Sequence, residues 1–234
     1  MTEIYVIDPI DAAHEGPSAL GPEGQRQMVH LMQGSLDGAC GPYSLMMGLL
    51  ICGVVDRNEA ARYGAVDRRT SLGRLLTEWH RLGPLVKGGT DPSQLATLLE
   101  KTYGSRLNLD FAGGSGAEIR DFMERHVTEN HPVLLTLNYP HGGHWVVVIG
   151  LEYQLAGIDR RLCRFLVLDP AQPTPTVCAW NGVIDARGGG GHYPYMWWTM
   201  GLRVQFYFAL SLAPKLRHRI WELEYVDELR KSED

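Results

Sequence analysis

QGSLDGACGPYSLMMGLLICG, residues 33 to 53, changes character at its middle. Its first half is loop chemistry, with Gly34, Ser35, Asp37, Gly38 and Gly41 crowded around Cys40. From Tyr43 to Ile51 it becomes an apolar run of helix formers, and Gly53 is placed to stop it. The stretch predicts a tight turn feeding a buried helix, with Cys40 at or just before the first helical turn. At such a position unsatisfied N–H groups and the helix dipole favour an anion. A cysteine is a good nucleophile only as its thiolate, so Cys40 is well placed to be one. Cys52 (late in the run), Cys163 (entering a strand) and Cys178 (after a Pro-rich loop) lack that setting. A single cysteine is often just a small buried hydrophobe. The glycines around Cys40 weigh against that here, because they admit a substrate and leave N–H groups free for a developing oxyanion.

Before this stretch, Ile4 to Asp8 reads as a short strand followed by a Gly/Pro loop through Gly24. After it, residues 70 to 82 carry apolar side chains at helical spacing. DPSQLATLLEKTYG has Asp91 as N-cap, Pro92 at the first helical position and Gly104 at the end. GAEIRDFMERHV is another amphipathic helix. Then the period changes. Residues 132 to 139, 144 to 153, 163 to 170 and 202 to 212 are β-branched and aromatic runs that read as strands. Residues 216 to 230 return to helical spacing, and the Gly188–Gly191 run with HYPYMWW reads as an irregular loop serving as lid or core segment.

A nucleophilic cysteine needs a base from elsewhere in the chain. His144 follows PHGG and begins HWVVVIG, so a strand would fix it while it faces converging loops. His80, His126, His131, His192 and His218 sit in polar or helical contexts where a solvated or hydrogen-bonded imidazole is the ordinary state. Asp169 ends FLVLDP; it reads either as the carboxylate that orients the histidine or as the cap of an Asp-Pro turn. Cysteine at a helix start, histidine at a strand start and an acid at the next strand's end form a Cys-His-Asp order.

With these residues in view, QGSLDGACGPYSLMMGLL resembles the cysteine box of papain-like peptidases, in particular the C39-like peptidases, where a Gln precedes the Cys and a Gly follows it. HWVVVIG and LVLDPA are similar to the His and Asp boxes of that group. The resemblance covers those boxes alone. It implies Cys40 as nucleophile, His144 as base and acid, Asp169 as orienter, and Gln33 as a side-chain donor to the oxyanion hole beside the Cys40 N–H. It also implies a papain-like α+β fold, in which an N-terminal helical part with the nucleophile helix packs on an antiparallel sheet carrying His and Asp. Gln33 stands one residue further from the cysteine than the family pattern leads one to expect, and Gly38 and Ala39 replace a polar neighbour.

The totals agree with one globular unit. At 234 residues, 44% apolar and 21% charged, the chain can bury a sizeable core as a single domain over residues 1–234. Within it the reading gives a mainly helical lobe at 25–130, a mainly β lobe at 131–212, and a C-terminal helix and tail at 213–234. A net charge of −5 with scattered basic residues points away from nucleic acid. No apolar run suits a bilayer span, and no signal peptide is evident, so the expectation is a cytoplasmic protein, or an effector exported without a conventional signal. Four cysteines with no CxxC pair do not suggest a disulfide scaffold, although a Cys163–Cys178 bridge remains open. His141 and His144 form H-x-x-H without a third ligand, so neither a metal nor a cofactor is expected. The expected partner is a protein or peptide substrate; oligomeric state is not legible.

The function that follows is a cysteine peptidase cutting peptide or isopeptide bonds through a thioester. Two alternatives use the same residues or scaffold: glutamine deamidation or transglutaminase-like acyl transfer of the kind bacterial effectors perform, and an inactive scaffold acting as a binding module.

Overall fold

In the computed structural model residues 1–34, 38–62, 66–81, 89–157 and 159–215 are described. The expected C-terminal helix at 216–230 lies outside them. The chain forms β1 (Thr2–Val6), then β2 (Asp11–Ala13), β3 (Gly16–Leu20) and β4 (Arg26–Met28). The helices α1 (Cys40–Ile51), α2 (Arg57–Ala61), α3 (Ser71–Arg81) and α4 (Pro92–Tyr103) follow. After β5 (Leu107–Gly113) and α5 (Gly116–Thr128) come six strands: β6 (Val133–Tyr139), β7 (Gly142–Ala156), β8 (Asp159–Leu168), β9 (Gly182–Asp185), β10 (Tyr195–Trp197) and β11 (Leu202–Pro214).

Those last six strands close on themselves. Pairing runs β7–β6–β11–β10–β9–β8 and returns from β8 to β7, all antiparallel, while β1 adds to β7 and β5 adds to β11 from outside the ring. Among the described residues the architecture is therefore a closed six-stranded antiparallel β-barrel with two extra strands, a separate three-stranded β2–β3–β4 sheet and five short helices. The expected papain-like α+β fold, a helical lobe packed on an antiparallel sheet, is not what the chain forms. Two physical features account for the difference. β7 and β11 are 15 and 13 residues long and carry register shifts at Val148/Gly150 in the β7–β8 ladder and Phe206/Phe208 in the β11–β6 ladder, irregularities that bend a sheet toward closure. The loop region that includes HYPYMWW supplies β10, and with β9 it joins β8 to β11.

The helix signals lie where the sequence sets them. Asp91 accepts from the N–H groups of Ser93 and Gln94 and starts α4 at Pro92. Ser115 and Glu118 form a reciprocal capping box on α5. In α1 ten of twelve residues are buried, so it is apolar all round, and it packs against β7, β6 and β3. Gly53, at φ 64°, ends it: its N–H bonds the Leu50 carbonyl while Val54 N–H bonds that of Leu49. The β2–β3–β4 sheet and β5 carried no clear signal in the sequence, and β5 falls inside the stretch read as mainly helical. No helix among the described residues is long and apolar enough to cross a membrane.

Gly150 is fixed by a close approach. A Cβ built there stands 2.5 Å from the Tyr5 carbonyl oxygen and 3.2 Å from Leu166 Cδ1, at the point where β1 joins β7. Backbone cannot swing aside as a side chain can. Gly150→Ala is expected to destabilise the protein by roughly 1–3 kcal/mol, read as a lowered melting temperature.

Candidate active site

Cys40 is the first residue of α1, whose N-terminus has no side-chain cap and no acidic residue in its first turn. Its early N–H groups are therefore available to an anion, and the dipole adds to them. His144 is the third residue of β7 and Asp169 follows the last residue of β8, so two antiparallel neighbours present them side by side. Ser44 Oγ donates to the Trp145 carbonyl at 3.0 Å and ties the first turns of α1 to β7 next to the histidine.

The three residues predicted to carry the chemistry are brought together. His144 Nε2 donates to Asp169 Oδ1 at 2.7 Å. That leaves Nδ1 for the hydrogen bond His144 makes with the Cys40 thiol. Cys40 is 8% exposed, His144 7% and Asp169 0%. Burial alone pushes the Cys40 thiol up, but the hydrogen bond and charge of His144, with the N–H groups of Trp145 and Gly41, bring it below its ordinary value. Burial pulls His144 down, yet its bonds to Asp169 and Cys40 outweigh this and raise it to about 9. A thiol lowered and an imidazole raised by the same contact favour separation of charge between Cys40 and His144.

Asp169 makes two contacts through one oxygen. Oδ1 orients His144 and also accepts the Ala171 N–H at 2.8 Å, capping the Asp-Pro turn. Oδ2 is buried with no hydrogen-bond partner among the described residues. Its backbone is clamped as well: Asn181 Oδ1 accepts from Asp169 N–H at 2.7 Å, and Asn181 Nδ2 donates to the Asp169 carbonyl at 2.9 Å. His30 Nε2 lies 3.0 Å from that carbonyl and 3.1 Å from Asn181 Nδ2, and its Nδ1 lies 2.9 Å from the Thr174 hydroxyl. Burial holds His30 below the usual histidine range.

Gln33 is tied to the acid arm of the site, its N–H donating to the Pro170 carbonyl at 2.8 Å. Its side-chain Oε1 is buried and has no hydrogen-bond partner among the described residues. His141 sits exposed in the two-residue turn between β6 and β7 with φ 71°, whereas His144 has both ring nitrogens engaged. The H-x-x-H spacing thus serves a hairpin. Cys163 and Cys178 are not bridged.

No protein-family model matches the chain, and no curated protein matches it.

Sequence reasoning missed four contributors. Trp197 stacks on His144, ring centroids 5.2 Å apart and planes at 24°, and is 2% exposed. The HYPYMWW stretch is thus core in part, and its last buried aromatic covers the base. Asn181 and His30 carried only the signals of an Asn-Gly turn and an isolated histidine. Tyr139, at the end of β6, is raised by burial first and then by the charges of Cys40 and Asp169, which places it at the same mouth.

Proposed function

We propose that the protein is a cysteine hydrolase that cleaves peptide or isopeptide bonds through a thioester on Cys40. The observation that carries this reading is the continuous Cys40–His144–Asp169 hydrogen-bonded array, with the thiol lowered and the imidazole raised. The similarity of the three sequence boxes to those of C39-like peptidases supports an amide as the bond attacked. The Cys40 thiolate attacks the carbonyl carbon and a C–S bond forms. The oxyanion is met by backbone N–H at the uncapped start of α1 and by the Gln33 amide. His144 gives its Nδ1 proton to the leaving amine, the C–N bond breaks, and a thioester remains. Water, deprotonated by His144, then attacks the thioester, releasing the acid and returning the thiolate.

The pH window follows from the two shifts. Raising the pH through about 9 removes the proton that His144 must give to the leaving group, so turnover falls on the alkaline side. Lowering it through the depressed Cys40 value protonates the nucleophile, so turnover falls on the acid side.

Alkylation by iodoacetamide across pH 4 to 9, read at each cysteine by peptide mass spectrometry, tests the ion pair. An ordinary thiol is only about 0.3% thiolate at pH 6, and the lower nucleophilicity of a weakly basic thiolate offsets part of the gain. Cys40 is expected to react roughly 20- to 300-fold faster at pH 6 than it does in His144→Ala. If all four cysteines react alike, or Cys40 reacts only as an ordinary thiol does, the catalytic reading fails. Product mass then separates hydrolysis, which cuts a chain, from deamidation or amine transfer on an intact one.

A further inference from the structure

A second cluster lies at the opposite end of β6 from His144. His144 pairs with Leu137, whereas His131 precedes the strand start at Val133, about 13 Å of extended chain away. Here α5 ends in a Schellman cap: Asn130 takes φ 64°, its N–H bonds the Val127 carbonyl, and His131 N–H bonds the His126 carbonyl at 2.9 Å. This turn folds His126, Glu129 and His131 onto one side. Asn130 is locked in place by Asp8, whose N–H donates to its Oδ1 and whose Oδ2 accepts from its Nδ2, both at 2.8 Å.

Their ligating atoms converge. Glu129 Oε2 is 3.4 Å from His126 Nδ1 and 3.6 Å from His131 Nδ1, and all three atoms lie within 4.8 Å of one another. Tetrahedral zinc with bonds of 2.0–2.1 Å sets neighbouring ligands about 3.3 Å apart. The His126 side chain is 9% exposed, and its Nδ1 is buried with no hydrogen-bond partner among the described residues. Its other nitrogen, Nε2, lies 3.1 Å from Asp110 Oδ2. Arg125 Nη2 also approaches Nε2, at 3.3 Å. The Asp110 oxygen is closer and can only accept, so Nε2 carries the proton and the Nδ1 lone pair is turned toward Glu129. Nδ1 and the Glu129 carboxylate then face each other as a pair of acceptors that a proton or a metal ion can bridge.

We propose that His126, Glu129 and His131 bind a divalent transition-metal ion of the zinc type, with water completing a four-coordinate shell. The donor set of two imidazoles and one carboxylate suits such a metal and not calcium or magnesium. Asp110 is the outer partner that fixes the tautomer and orientation of His126. Glu129 is half exposed, which opens the remaining coordination position to solvent. The role is structural: the ion joins the end of α5 to the start of β6, with β5 held through Asp110.

The test uses the full chain as Cys40→Ser, which removes the thiol of the proposed active site from competition, stripped with chelator and titrated with zinc by calorimetry and with cobalt(II) by absorption. Saturable uptake of one equivalent is expected, with a cobalt spectrum of tetrahedral type and a melting temperature that rises with zinc and falls back with chelator. Glu129→Gln, on a partly exposed residue that the fold does not need, is expected to weaken affinity at least about tenfold, and Asp110→Asn about 10- to 100-fold. Absence of saturable binding overturns the proposal. So does binding that Glu129→Gln and His131→Gln both leave unchanged.

Discussion

Asp169→Ala is expected to slow acylation of Cys40 by about 10⁴-fold, the scale on which removal of the orienting carboxylate acts in Ser-type triads. The change takes away the acceptor of His144 Nε2, held at 2.7 Å. The imidazole then loses the contact that keeps Nδ1 aimed at the thiol and loses part of the support for its positive charge. The upper limb of the pH profile should move down from about 9, because the Asp169 bond is the leading cause of that raised value once burial is set against it. Stability should fall too, by roughly 3–5 kcal/mol, since breaking a buried pair strands the partner charge. The Ala171 N–H loses its acceptor in the same stroke. The measurement is the p-nitrophenolate burst from an active ester, which requires no knowledge of the natural substrate, paired with a thermal melt. Asp169→Asn separates orientation from charge: its amide oxygen can still accept from Nε2, so it should recover stability and only part of the rate. A burst as fast as wild type in the folded alanine variant would remove Asp169 from the mechanism.

Trp197→Ala should cost about 3–5 kcal/mol, the range for deleting a fully buried aromatic. For a chain of this size that corresponds to a fall in melting temperature of roughly 6–20 °C. Trp197 belongs to β10, pairing with Ile184 of β9 on one side and Leu202 of β11 on the other, so the void would open where the ladders of the ring are shortest. Its ring is also the cover over His144. Water admitted there would compete for the bond between His144 and Asp169, which is strong because the acid is wholly buried. The ester burst should therefore fall even at temperatures where the variant is folded. Trp197→Phe keeps a ring to stack and is expected to recover most of both effects. Equal burst rates for folded wild-type and alanine proteins would limit Trp197 to packing.

The catalytic candidates were legible because each stands where a local signal changes. Cys40 marks the passage from a glycine-rich loop to an apolar helix, His144 the passage from PHGG to a β-branched run, and Asp169 the stop at Pro170. The contacts among them are long-range, yet the residue types and the order of elements left few other partners. The barrel was not legible. β9 and β10 have four and three residues, too short to display a period. Closure also depends on bulges in the β7–β8 and β11–β6 ladders, which residue patterning does not encode. Nor could the spacing of His126, Glu129 and His131 suggest a common centre, because on a continuing helix His126 and His131 would point apart. Only the left-handed turn at Asn130 folds them together. His30 and Asn181 act through the Asp169 backbone, and residue type gives no warning of that role.

The place of β11 in the ring bears on how the molecule is made. This strand alone links β6 to β10, and it also anchors β5. A ribosome that has delivered Cys40, His144 and Asp169 has still not delivered the piece that closes the cylinder, which runs to Pro214. Pairing between segments this far apart in the chain is slow, and it leaves strand edges open in the meantime. Cys40 therefore exists for a time on an emerging polypeptide without the walls that hold His144. Activity should appear late in synthesis, with the folding of the whole barrel, rather than when the last triad residue is added.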